Sequence, residues 1–187
     1  MTPPTVMPVR SEKLTPLIQY LNSLKARAPL EALEQHLRRL DITIEDVAGF
    51  VRFDNDHYLR NLVSGGEWYH LLVICWHSGQ RSPIHNHAES TCGLKVLKGV
   101  VTETKFEMGP CGLVKATYSR DLPIGEVAAS QDADMHQVSN LQVEGMDLVT
   151  LHIYSPPLLR MKTYSLVDRS TGEFRPEIFE HGFGSGI

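Results

Sequence analysis

The chain has 187 residues, 42% hydrophobic and 21% charged, the balance of an ordinary globular protein long enough to bury one substantial core. Its formal net charge of −4 supplies no broad basic field, which argues against nucleic acid and anionic membrane surfaces and leaves a small molecule as the expected partner. No apolar run approaches the roughly 20 residues that span a bilayer, the start MTPPTVMPVRSEK lacks the apolar core of a secretion signal, and Cys75, Cys92 and Cys111 are odd in number and widely spaced. A cytoplasmic chain without a disulfide framework is therefore expected.

Residues 1–13 are rich in proline and polar groups and read as an unpacked arm. Thr15 and Pro16 form a start signal for a first amphipathic helix, with Leu14, Leu17, Ile18, Leu21 and Leu24 at helical spacing. Pro29 opens a second helix carrying Leu30, Leu33, Leu37 and Leu40, and Thr43 is placed to cap a short third one with Val47 and Phe50 inside. From about Tyr58 the period changes. YHLLVICWH, GLKVLKGVVTETKFEM, GLVKATYS, MHQVSNL and DLVTLHIYS are β-rich runs separated by turn residues such as Gly65-Gly66, Gly109-Pro110 and Gly125. The spacing predicts one domain: a helical segment over 14–52 packed outside a β sandwich or barrel over 58–168, with an irregular C-terminal wrap over 169–187.

The run GQRSPIHNHAESTCGLKVLKG, residues 79–99, carries His85 and His87 two residues apart. In a strand such residues share a face, so both imidazoles can reach one metal ion. An HxH pair can also sit solvated in a strand, but this one is flanked by Gly79 and Gly99, and the stretch resembles the first cupin motif with Cys92 where a ligand glutamate usually stands. The second cupin motif is matched by Gly125, His136 and Asn140, with Gln131 and Ala133 in place of the usual proline and glycine. Three neutral imidazoles leave a divalent metal its full charge and open positions, so the substrate itself can supply the missing anionic ligand. A thiolate would serve, because metal coordination favours deprotonation of a thiol. Cys92 could instead bind the metal and give a zinc-like site with one sulfur.

Further pieces extend the likeness: Tyr58-x-Arg60-Asn61-Leu62-Val63, Cys75-Trp76, Glu103-Thr104, and Leu151-His152-x-Tyr154-Ser155-Pro156-Pro157. Together with the HNHAESTC run they resemble cysteine dioxygenase from about residue 15 to Tyr164. The resemblance implies a cupin β-barrel, a small double-stranded jelly roll with an all-β core, in which iron(II) held by His85, His87 and His136 adds both atoms of O2 to the sulfur of L-cysteine. It implies a carboxylate-binding role for Arg60, assisted by Tyr58, and a hydrogen-bonded chain of Thr150, His152 and Tyr154 directed at substrate and O2. The family has serine at the first place of that chain, and Thr150 keeps the hydroxyl. Cys92 and Tyr154 correspond to the pair joined by a thioether in animal members. Relatives preferring 3-mercaptopropionate are similar but carry glutamine where Arg60 stands, so arginine favours cysteine. A non-catalytic cupin holding zinc or nickel is the rival from another class. Asn86 points away from the metal in this reading, His57, His70 and His77 are structural or exposed, Cys75 and Cys111 are ordinary thiols, and the absence of a long heptad pattern makes a monomer the expectation.

Overall fold

The computed structural model describes residues 11–132 and 134–180. Helices come first. Ser11 accepts from the Lys13 N–H at 3.3 Å and caps a single-turn 3-10 helix, Glu12–Leu14, that runs straight into α1, Thr15–Ser23. Residues 11–13 of the predicted arm are therefore ordered into the helical entry, and its residues 1–10 lie outside the described residues. Thr15 is not the cap expected of it: Leu14 holds that position without a side-chain bond, because the preceding turn already satisfies the entry. α2, Leu30–Arg39, starts after Pro29 as predicted and buries Leu33 and Leu37. The third helical piece is a 3-10 helix, Glu45–Phe50, in which Thr43 is the donor rather than the cap. Its N–H reaches the Asp46 carboxylate at 2.9 Å.

Among the described residues, eleven strands follow in two antiparallel sheets. The first contains β1 (Leu59–Gly66), β2 (Tyr69–Trp76), β4 (Thr91–Lys98), β7 (Val127–Gln131) and β9 (Leu148–Ser155), in the order β1-β2-β9-β4-β7. The second contains β3 (Ile84–His85), β5 (Val101–Met108), β6 (Val114–Leu122), β8 (Met135–Ser139), β10 (Met161–Tyr164) and β11 (Thr171–Phe174), in the order β11-β10-β3-β8-β5-β6.

The near-continuous apolar runs of β2 and β9 follow from burial on both faces. Their Leu71, Val73, Cys75, Val149, Leu151 and Ile153 face the helices and join Leu14, Leu21, Leu33 and Leu37 in one core cluster. The alternate residues Leu72, Ile74, Trp76, Leu148 and Tyr154 face inward and join Cys92, Leu94 and Val96 in a second. An all-β barrel with the N-terminal helices outside is thus the observed architecture. Gly93 on β4 lets α2 approach: a Cβ there would collide with the side chains of Leu33 and Leu37. Two positions along the same face, Lys95 is buried and donates to the Leu37 carbonyl at 3.1 Å, a second donor to an acceptor that the Leu40 N–H also reaches at the end of α2.

Two sequence expectations change. The run over residues 93–108 breaks at Gly99, φ +78°, where a Cβ would lie 2.7 Å from the Asp147 carbonyl, so β4 and β5 enter different sheets. The tail beyond Asp168 is not irregular at first: β11 pairs with β10, and Phe179 then bridges to Asn61 of β1. Among the described residues no helix is long and apolar enough to cross a membrane.

Candidate metal centre

His85 closes the two-residue strand β3, and His136 sits opposite it on β8. His87 lies just past the end of β3. All three are buried, and one ring nitrogen from each lies within 4.8 Å of the others. Their Nδ1 atoms are engaged on the outside: His85 with the Pro83 carbonyl at 2.9 Å, His87 with the Ser130 hydroxyl at 3.3 Å, and His136 with Glu103 Oε1 at 3.0 Å. A carbonyl and a carboxylate only accept, so His85 and His136 carry their protons on Nδ1 and turn Nε2 lone pairs inward.

The Nε2 atoms of His87 and His136 are 3.1 Å apart. Burial, then the neighbouring His136, pushes His85 down to about 3 and His87 well below the usual histidine range. His85 and His87 are therefore held neutral, and with the inward-facing Nε2 of His136 they converge in a buried pocket that fits a divalent cation. Cys92 is not in the converging set. Burial raises its thiol to about 12, and its place outside the converging nitrogens, not its pKa, is what speaks against a zinc-like site with one sulfur.

Thr150, His152 and Tyr154 alternate on the inner face of β9. Thr150 Oγ1 is 2.9 Å from His152 Nε2, and the Tyr154 hydroxyl is 3.3 Å from His152 Nδ1. Trp76 Nε1 also donates to Thr150 Oγ1, at 3.0 Å, and the threonine proton has the Ile74 carbonyl at 3.3 Å. With that proton on Ile74, His152 donates from Nε2 to Thr150 and accepts from Tyr154 at Nδ1. Burial, with Cys92 next to it, raises the Tyr154 pKa, so the phenol stays protonated. Cys92 and Tyr154 are direct cross-strand neighbours on β4 and β9.

Arg60 of β1 is 2% exposed. Its guanidinium lies over the Tyr154 ring, 5.0 Å from the centroid, and Nε, Nη1 and Nη2 have no hydrogen-bond partner. Tyr58 stacks on Trp76 with ring centroids 4.3 Å apart. Arg60, Tyr58, Cys92, His152, Tyr154 and the three histidines line one cavity of about 20 Å³. Thr150 stands behind it, hydrogen-bonded to His152.

A family profile described as cysteine dioxygenase type I matches residues 4–167. Curated relatives named cysteine dioxygenase type 1 are 30% identical in Danio rerio and 31% identical in Rattus norvegicus and Homo sapiens, each over 171 residues that cover 88% of this chain and 83% of theirs. The chain belongs to the type I cysteine dioxygenase family. Its barrel is of the cupin class. A crystal structure from Thermus thermophilus is 19% identical with a TM-score of 0.50 over 62% of this chain and 98% of that one, a likeness of fold alone. An RmlC-like cupin protein from Desulfovibrio desulfuricans is 25% identical with a TM-score of 0.43 over 57% of this chain and 90% of that one.

As a cysteine dioxygenase family member the chain is an oxygenase with a three-histidine metal centre. The sequence reading missed the groups that hold this centre in shape. Glu103 on β5 is buried and receives Arg120 Nη2 at 2.6 Å and Nε at 2.8 Å, with Lys105 Nζ at 3.4 Å. Burial alone would raise its pKa, but the His136 bond, Lys105 and Arg120 together hold it down at about 2. A carboxylate is thus present one hydrogen bond behind His136, at a position other than 92, where the glutamate of the first cupin motif would stand. A Glu103→Gln variant should bind the metal roughly 10- to 100-fold more weakly, read by titration against a competing chelator. Unchanged affinity would show that His136 needs no anionic partner.

His57, His70 and His77 stay outside. His57 pairs with Asp54 at 3.1 Å, His77 with Asp147 at 2.9 Å, and His70 is half-buried. Asn86 turns away and donates to the Tyr164 hydroxyl at 3.2 Å. Cys75 is buried and Cys111 exposed. Ala133 of the second cupin motif lies outside the described residues, as do Gly182, Gly184 and Gly186.

Proposed function

We propose that this protein is an iron(II) dioxygenase that converts L-cysteine and O2 to cysteine sulfinate, with His85, His87 and His136 holding the iron. The observation that carries the substrate assignment is Arg60: a buried guanidinium with all three nitrogens unmet, beside a metal site built of neutral ligands. A charge buried without a partner is costly unless the partner arrives with the ligand. A carboxylate satisfies two of its donors at once, in the bidentate geometry that arginine favours over lysine.

Iron(II), when bound, lowers the pKa of a coordinated thiol and activates O2 for addition to sulfur. The balance is R–SH + O2 giving R–SO2H, with no further reductant. Arg60 and the Tyr58 hydroxyl hold the carboxylate end, which fixes the thiol end over the histidines. Tyr154 keeps its phenolic proton, oriented by His152, and the apolar walls given by Trp76, Val138 and Met161 keep bulk water out. Cys92 and Tyr154, cross-strand neighbours, can join in a thioether, a step that passes two hydrogens to O2 and gives hydrogen peroxide. Intact mass after aerobic turnover should then be two hydrogens below the sequence mass, and a full-mass protein would leave them as packed neighbours.

The test is to load the protein anaerobically with iron(II) and follow O2 uptake and sulfinate formation with L-cysteine, 3-mercaptopropionate and cysteamine. L-cysteine should be turned over with one O2 per sulfinate. Turnover of 3-mercaptopropionate alone would remove cysteine as the substrate. Turnover of none would leave a metal-binding cupin without this chemistry.

A further inference from the structure

The barrel's two sheets end at β1 on one side and β11 on the other. The chain after β11 crosses between these edges. The Phe179 N–H donates to the Arg60 carbonyl at 2.8 Å, and the Leu62 N–H donates to the Phe179 carbonyl at 2.9 Å, bracketing a parallel bridge with Asn61. Ile178 packs on the inner core cluster beside Tyr58 and Leu62. Phe174, Arg175, Pro176 and Glu177 line an outer cavity of about 280 Å³ together with His57, Tyr58 and Arg60. Tyr58 and Arg60 line this cavity and the inner one alike, so they stand where the two meet.

β1 pairs with a strand of its own sheet on one side only. It carries a buried guanidinium that lies over the Tyr154 ring but has no hydrogen-bond partner, and that burial is relieved most easily if the strand lifts and lets Arg60 reach water. The two backbone bonds from Phe179 fall on Arg60 itself and on Leu62, where they oppose that movement. We propose that residues 174–179 are a strap joining the free edges of the two sheets, and that Phe179, through its backbone, is a positioning residue that keeps Arg60 aimed into the metal cavity for the substrate's carboxylate. The strap also makes the outer cavity the approach through which a small thiol carboxylate reaches Arg60. This inference rests on the substrate reading above.

The test compares Phe179→Pro, which deletes the N–H, with Phe179→Ala, which keeps it, in the full chain loaded with iron(II). Phe179→Pro should raise the KM for L-cysteine by about tenfold or more while kcat stays within about twofold, the signature of lost binding rather than lost chemistry. Phe179→Ala should recover most of that loss, and iron content should be equal in all three proteins. A Phe179→Pro protein with the wild-type KM overturns the proposal. Hydrogen exchange on the unaltered protein tests the bridge without a variant: the Phe179 and Leu62 amides should be protected, and a Phe179 amide exchanging as in an unstructured peptide overturns it equally. If the unaltered protein fails to oxidise L-cysteine, the substrate reading falls, while the exchange measurement still decides whether the strap holds β1.

Discussion

Arg60→Gln should raise the KM for L-cysteine roughly 30- to 140-fold, the equivalent of about 2–3 kcal/mol for truncating one partner of a buried, hydrogen-bonded charge pair. The glutamine amide still offers one donor to the carboxylate, but neither the charge nor the fork. The same substitution should leave the substrate-free protein as stable as before or more so, because the arginine it removes has three buried nitrogens without partners. Binding and stability thus move in opposite directions, as expected where a site keeps an unmet group for its ligand. Steady-state kinetics and thermal denaturation of the same preparation check both halves. A parallel loss of stability and affinity would mean that Arg60 serves the fold.

Stripping the metal should lower the melting temperature of the unaltered protein by roughly 5–10 °C. A metal at about 100 times its dissociation constant stabilises the native state by about 2.7 kcal/mol, and a chain of this size shifts about 2–4 °C per kcal/mol. His87→Ala removes a fully buried donor whose Nε2 faces that of His136. It should abolish turnover and make melting indifferent to chelator. If the variant still melts higher with iron(II) than without, the ion is held elsewhere.

The chemistry of this chain was legible where local spacing governs it. His85 and His87 are neighbours in sequence, and the alternation along β9 puts Thr150, His152 and Tyr154 on one face whatever surrounds them. The double-sided burial of β2 and β9 was likewise written in their apolar runs. The helix starts were less so: Thr15 and Thr43 are good caps in isolation, yet Ser11 and Asp46 reach the free backbone groups first. Glu103 could not be placed behind His136 because 33 residues separate them and only the pairing of β5 with β8 joins them. The C-terminal strap was hidden for a related reason. Its attachment to β1 is made by backbone groups, and Gly172 and Pro176 interrupt the alternation by which a strand is recognised.

On the proposed function, the three-histidine centre, with Glu103 behind His136 and the substrate anchored by Arg60, places both atoms of O2 on a thiol sulfur. Mass spectrometry of the product formed from L-cysteine under 18O2, with iron(II)-loaded protein in ordinary water, tests it most directly. Cysteine sulfinate carrying two 18O atoms is the result predicted. A sulfinate with one label or none, or cystine as the only product, would contradict it.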